Sequence, residues 1–199
     1  MSDIEPLRRF VQGMTRAVEI HGRDEPAMLR EARQLLANLI ARDDWLPPEF
    51  GEASAEGYRQ YLLYCDPLER FSVVSFVWGP GQVTPVHDHT VWGLVGVLRG
   101  AEKCEEYTRA GEGQPMRKSG EHIVEPGGID AVSPNIGDIH TVSNALADRA
   151  SVSIHVYGAN IGAVKRHTYA RDTGIAKPFV SGYSNSVIPN LWSPSAAPH

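Results

Sequence analysis

His87 and His89 stand one residue apart in the stretch Gly81-Gln82-Val83-Thr84-Pro85-Val86-His87-Asp88-His89, and His140 follows in Gly137-Asp138-Ile139-His140. On a strand, a His-x-His pair sends both imidazoles to one face, because successive side chains alternate. Two neutral imidazoles on one face form half of a metal site. A third from elsewhere in the fold gives a set that suits Fe(II), Zn, Cu or Ni. Asp88 must then point the other way, which makes it a poor ligand for the same ion. Any one of these histidines alone is more simply a hydrogen-bonded core or surface residue. The pair, together with His140 in its own glycine-marked turn, favours a metal. A second pattern lies in Ser153-Ile154-His155-Val156-Tyr157. Alternation puts a hydroxyl, an imidazole and a phenol in a row, which can form a hydrogen-bonded relay. By itself that pattern is more simply a half-buried strand with one polar face.

These residues need a scaffold. Ile4, Leu7, Phe10, Val11 and Met14 recur at helical spacing, as do Met28, Ala32, Leu35, Leu36, Leu39 and Ile40. Asp24 or Glu25 before Pro26 suits the start of the second helix, and Pro47-Pro48 ends the helical region. From Tyr58 the pattern changes to short runs rich in Val, Ile, Phe, Tyr and Trp between Gly, Pro, Asn and Asp. These are 61–64, 71–78, 91–98, 103–108, 122–125, 140–143 and 151–157. Strands at this density predict an all-β sandwich or barrel. The expected organisation is a single domain, 1–199, with a helical region (1–50), a β core (58–158) and a C-terminal segment (159–199). That last segment is expected to pack over the barrel as irregular structure with at most a short hairpin. No solenoid repeat is visible, and the only low-complexity stretch is Ser193 to His199.

Composition narrows the function classes. The chain has 199 residues, 42% hydrophobic and 22% charged, with a net charge of -5, as expected of a soluble globular protein. There is no basic stripe for nucleic acid and no apolar run near the roughly 20 residues of a membrane helix. No secretory signal is visible at Met1-Ser2-Asp3-Ile4-Glu5, so a reducing cytoplasmic location is expected. Cys65 and Cys104 are then free thiols rather than a disulfide.

Together the motifs resemble the cupin superfamily. Gly81, His87, His89, Gly93 and Gly100 match the first cupin motif, with Gly93 where a glutamate is usual. Gly128, Pro134, Gly137, His140 and Asn144 match the second, with one extra residue between proline and glycine. Three histidines without the carboxylate are similar to the thiol dioxygenases of the cysteine dioxygenase type I family. That resemblance implies a mainly-β, jelly-roll-like cupin barrel with N-terminal α-helices. It implies Fe(2+), one per chain, on His87, His89 and His140, with a small thiol substrate and O2 as partners. The product would be a sulfinate, the second oxidised rung of the thiol ladder. Ser153, His155 and Tyr157 match the family's relay, whose tyrosine hydroxyl lies beside the substrate.

Substrate choice turns on a few positions. Members of the mammalian type clamp the substrate carboxylate with an arginine two residues after a tyrosine. Here Tyr58-Arg59-Gln60 puts Gln60 in that place, a neutral donor that cannot pair bidentately with a carboxylate. The pattern resembles the bacterial 3-mercaptopropionate dioxygenases, in which an arginine from the C-terminal segment, matched by Arg166, takes over. The expectation is that Arg166 and Tyr157 hold the carboxylate with Gln60 assisting. The plain alternative for Arg166 is a solvated surface charge. The mammalian type also carries a cysteine crosslinked to the tyrosine. Gly93 occupies that position, so Tyr157 is expected to be unmodified, and Cys104, on a later strand, is a poor substitute. Cys65 reads as a buried small apolar residue. Trp78 and Trp92 are expected in the core or pocket wall. His21, His122, His167 and His199 are assigned to no metal, with His167 at most a pocket neighbour. The alternatives are an L-cysteine dioxygenase, a cupin that binds metal or senses a ligand without turnover, or another metal-dependent cupin enzyme such as an isomerase.

Overall fold

The structure is a computed structural model that describes residues 3–185; His199 and the low-complexity stretch lie outside the described residues. Two helices come first, α1 (Glu5–His21) and α2 (Glu25–Ile40). Asp24 caps α2 by accepting the Ala27 N–H at 3.0 Å, with Pro26 in the first turn, where its missing N–H costs nothing. The helix stops at Ile40, earlier than the prolines at 47 and 48 suggest. Trp45, fully buried, folds back and donates its indole N–H to the Leu39 and Arg42 carbonyls, each at 3.0 Å. It thereby satisfies acceptors that the ending helix would leave unpaired.

Eleven strands follow among the described residues: β1 (Arg59–Cys65), β2 (Ser72–Trp78), β3 (Val86–His87), β4 (Gly93–Arg99), β5 (Glu102–Thr108), β6 (Arg117–Val124), β7 (Ile129–Val132), β8 (His140–Asn144), β9 (Ser151–Tyr157), β10 (Arg166–Tyr169) and β11 (Ala176–Phe179). They form two antiparallel sheets, β1-β2-β9-β4-β7 and β11-β10-β3-β8-β5-β6. The fold is therefore mainly β with two N-terminal helices, as expected. The C-terminal segment supplies the short hairpin, β10–β11, and β10 pairs with β3 so that Thr168 lies opposite His87. Sequence periodicity missed the four-residue strand β7 and gave no bounds for the hairpin strands β10 and β11, because each is only four residues long.

Every residue of the central strands β2 and β9 is buried, β2 as a nearly continuous apolar run and β9 with a polar row on one face. On β9, Val152, Ile154 and Val156 face the helices and join a core with Phe10, Met14, Met28, Leu36 and Ile40. On β2, Val73 and Val77 join that core, while Val74, Phe76 and Trp78 turn inward with Tyr157 and Val142. Gly96 on β4 permits the close seat of α2: a Cβ there would lie 2.9 Å from Ile40 Cδ1 and 3.1 Å from Leu36 Cγ. Leu36 is fully buried at this contact. Leu36→Ala should therefore lower unfolding stability by about 2–5 kcal/mol, the range for large-to-small core changes. Urea denaturation followed by Trp fluorescence measures it, and a loss well under that range would mean that the helix pair adds little to the core.

Candidate metal centre and its pocket

His87 on β3 lies directly opposite His140 on β8. Side chains on an opposed pair share a face, and this register brings the two imidazoles together from distant parts of the chain. His89 joins them from just beyond the strand. The expectation of one strand through both His87 and His89 is corrected here, since β3 ends at His87. The chain turns where Asp138 accepts the backbone N–H of His89 (3.1 Å) and of Thr90 (2.9 Å), and Thr90 has a φ of 61°. Asp88 points away, as expected. Its carboxylate accepts the His167 N–H (2.7 Å) and the Tyr169 hydroxyl (2.7 Å), tying β3 to β10.

The ring centroids of His87, His89 and His140 are 4.8–4.9 Å apart, and candidate ligand atoms on the three lie within 4.8 Å of one another. All three residues are buried. Each Nδ1 has a partner: Pro85 O at 3.0 Å for His87, Asp138 Oδ1 at 3.0 Å for His89, and Cys104 Sγ at 3.5 Å for His140. A carbonyl and a carboxylate can only accept, so Nδ1 of His87 and His89 carries the proton and Nε2 keeps its lone pair. Burial, reinforced by the neighbouring rings, lowers the His87 pKa to about 3 and that of His140 well below its ordinary value. Neutral imidazoles are the metal-binding form. Burial opposes charge on Asp138, yet the hydrogen bonds from His89 and Thr90 outweigh it and hold the carboxyl below its ordinary value. The donor set thus fits a divalent transition metal.

The relay pattern is present as geometry. Ser153 Oγ lies 2.8 Å from His155 Nε2, and His155 Nδ1 lies 2.8 Å from the Tyr157 hydroxyl. Tyr157 stacks beside His89 at 5.5 Å between centroids. Burial drives the His155 pKa well below its ordinary value and the Tyr157 pKa upward, so both are neutral. Gly93 is paired with Tyr157 across β4 and β9, and a Cβ there would lie 2.7 Å from Tyr157 Cδ1. The tyrosine ring occupies the space that a side chain at 93 would fill. Cys104 instead contacts His140, and Cys65 is a buried free thiol raised by burial to about 12.

A cavity of about 290 Å³ opens on this cluster, lined by the three histidines, His155 and Tyr157, with Phe76, Trp78 and Tyr58 forming an aromatic wall. Trp92 is not in this wall but packs against the helix-side core. Arg166 and Gln60 both reach the cavity, whereas Arg59 turns away to Ser54 and Glu56. Arg166 is 4% exposed, so it is no solvated surface charge. Its Nη2 donates to Ser181 Oγ at 2.7 Å, its guanidinium lies over the Phe179 ring, and its Nε has no partner. Gln60 differs from expectation. Its amide nitrogen donates to Ser181 Oγ at 2.8 Å and to the Gly182 carbonyl, so its N–H groups hold the 181–182 segment. Of the remaining histidines, His21 pairs with Glu31, His122 with Asp130 and His167 with Asp88.

Sequence reasoning missed four residues here. Asp138 and Cys104 are the partners that orient His89 and His140, and Ser181 links Gln60 to Arg166. Glu102 is the fourth: it is 1% exposed, its Oε1 lies 3.4 Å from Ser151 Oγ, and its Oε2 has no partner. An acidic residue at an inward position of a barrel strand, in register with Cys104 and Glu106, was the available signal. Burial raises the Glu102 pKa from 4.5 to about 8, opposed only in part by the nearby serine hydroxyls. Between those values the folded state keeps a proton that the unfolded state has lost, so this residue makes stability fall as pH rises from 4.5 to about 8. Glu102→Gln should flatten that decline in thermal denaturation across the window. Equal slopes for variant and parent would mean that Glu102 does not bind the extra proton.

The match to a family model agrees with the family expectation. Residues 51–170 match the family described as cysteine dioxygenase type I. Among solved structures, a Thermus thermophilus protein is similar at 18% identity, with 56% of this chain and 92% of that one covered and a TM-score of 0.44. A Klebsiella pneumoniae protein with a double-stranded β-helix domain gives 16% identity, 60% and 93% coverage and a TM-score of 0.46. A cupin-superfamily sugar phosphate isomerase from Silicibacter pomeroyi gives 21%, 61% and 69%, and 0.45. No helix among the described residues is long and apolar enough to cross a membrane. With the family match spanning more than half of its length, the chain belongs to the cysteine dioxygenase type I family.

Proposed function

We propose that the protein is a mononuclear non-haem Fe(II) thiol dioxygenase with one iron per chain, held by His87, His89 and His140. It adds both atoms of O2 to the sulfur of a small carboxylated thiol, giving the sulfinate, with 3-mercaptopropionate favoured over L-cysteine. Bound Fe(II) supplies the template on which thiol and O2 meet, three neutral imidazoles leaving its charge to be balanced by a thiolate.

The observation that carries the substrate reading is the charge inside the cavity. Arg166 is buried with an unpartnered Nε, and among the described residues it has no ion pair. A buried cation without a counter-ion is costly, so the cavity suits an anionic group. Burial lowers the Arg166 pKa, although guanidinium stays charged under all ordinary conditions. The only other charged residue lining the cavity among the described residues is Lys177, which is exposed, and no Asp or Glu lines it. A carboxylate is therefore matched, whereas the ammonium of cysteine finds no acidic partner. Gln60 acts indirectly, by fixing Ser181 against Arg166.

The remaining residues position and protect. Phe76, stacked on His155 at 4.1 Å, and Trp78 with Tyr58 at 4.8 Å keep the space narrow and apolar. Neutral Tyr157 holds a proton at its hydroxyl, and neutral His155 can accept on one nitrogen while donating from the other. The Ser153–His155–Tyr157 chain can therefore reverse its hydrogen-bond direction without building up charge in the core. A binding module would not require such a row.

Oxygen uptake by the Fe(II)-loaded protein, with the product identified, tests this reading. Uptake matched by 3-mercaptopropionate sulfinate, with much weaker cysteine turnover, is expected. Efficient cysteine turnover would overturn the specificity but keep the chemistry. No uptake with either thiol in iron-loaded protein would overturn both. Arg166→Ala should raise KM for 3-mercaptopropionate by about 10- to 100-fold, the scale of one charge-assisted hydrogen-bond pair. It should change KM for cysteamine, which lacks a carboxylate, far less. Equal effects on the two thiols would remove Arg166 from carboxylate binding.

A further inference from the structure

A second group of side chains of metal-ligand type lies behind the first. Cys104 on β5 is the cross-strand partner of His122 on β6, so their side chains share one face of the sheet. Asp130 enters from β7 of the opposite sheet, and its carboxylate is 2.7 Å from His122 Nε2. One ligand atom from each of Cys104, His122 and Asp130 can be chosen so that all lie within 4.8 Å of one another. Ligand atoms about a tetrahedral ion with bonds of about 2.0–2.3 Å stand nearly 4 Å apart at most, so small side-chain shifts close the set. The three line a separate cavity of about 300 Å³, together with the carboxylates of Glu106 and Asp138. Its lining differs in charge from that of the substrate cavity: it includes Glu106, Asp130 and Asp138, and no Lys or Arg among the described residues.

We propose that Cys104, His122 and Asp130 form a second site for a thiophilic divalent cation of the zinc type, with one coordination position left open. Sulfur, imidazole and carboxylate in one place are the donor set of such ions, and the local excess of carboxylates draws a cation in. The Cys104 thiol gives up its proton to solvent as the sulfur–metal bond forms. Access is from the outer side: His122 is 41% and Asp130 26% exposed, while Cys104 lies 6% exposed at the inner end. The same sulfur is 3.5 Å from His140 Nδ1, so an ion here would sit one hydrogen bond behind the three-histidine cluster. The competing reading is a plain His122–Asp130 surface pair above a buried thiol. The proposal stands on this cluster and not on the dioxygenase reaction.

Cobalt distinguishes the two clusters, because only one contains sulfur. Full-length His87→Ala/His89→Ala protein, titrated anaerobically with Co(II), should bind one equivalent and develop a near-ultraviolet thiolate-to-cobalt charge-transfer band. The band should persist with Cys65→Ser, vanish with Cys104→Ser, and need at least about tenfold more cobalt with His122→Ala, since loss of a ligand costs no less than loss of an orienting partner. In the parent chain the same band should accompany one of two equivalents, which serves as the readout where the double variant does not fold. No band in either protein, or a band that survives Cys104→Ser, overturns the proposal and leaves the surface pair. Neither result depends on oxygen uptake.

Discussion

Three imidazoles packed within 5 Å of one another inside a barrel must stay neutral and must turn the same nitrogen towards a common point. Burial, reinforced by the neighbouring rings, meets the first requirement at His87 and His140. The second requirement is met at two rings by obligate acceptors, a backbone carbonyl from Pro85 and a carboxylate from Asp138, while the Cys104 sulfur lies beside Nδ1 of the third. These partners differ in chemistry, so the three rings are unequal although the residue type is the same. The rest of the architecture serves this arrangement. The opposed pair between β3 and β8 sets two rings, and the Asp138-stabilised turn sets the third.

β9 shows how one strand carries both stability and chemistry. It lies between β2 and β4, so both its edges are hydrogen-bonded. Its outward residues Val152, Ile154 and Val156 hold the helices, and its inward residues Ser153, His155 and Tyr157 form the polar row. A polar row in a core is tolerable only when each member has a partner, and here each does. Because the backbone is clamped on both sides, the row has little freedom to rearrange, which suits groups that must hold a proton at a fixed place.

The two sides of the cluster differ in charge. The front cavity has a buried arginine and an aromatic wall; the rear cavity has carboxylates and a thiol. Opposite fields on either side of a neutral cluster separate what each side can attract, an anion in front and a cation behind. The C-terminal hairpin makes the front cavity possible. Asp88, the residue between the two paired histidines, anchors β10 and so places Arg166 beside the cluster.

The His-x-His pair, His140 and the Ser-x-His-x-Tyr alternation were legible in the sequence, as were both helices, the β-rich class and the family, because each is a local pattern of period 2 or 3.6 or a short motif. The outward turn of Asp88 was legible for the same reason, and the burial of Cys65 from its residue type. Tertiary structure alone decided which groups orient the imidazoles, that Gln60 binds the 181–182 segment, that Arg166 is buried without a counter-ion among the described residues, that Glu102 faces the interior, and that Cys104, His122 and Asp130 come together. Those facts depend on strand register and on contacts between residues tens of positions apart, which no local periodicity encodes. The two-residue strand β3 is the clearest case: the His-x-His pattern marks it, but only its pairing with β8 and β10 brings His87, His140 and Arg166 together.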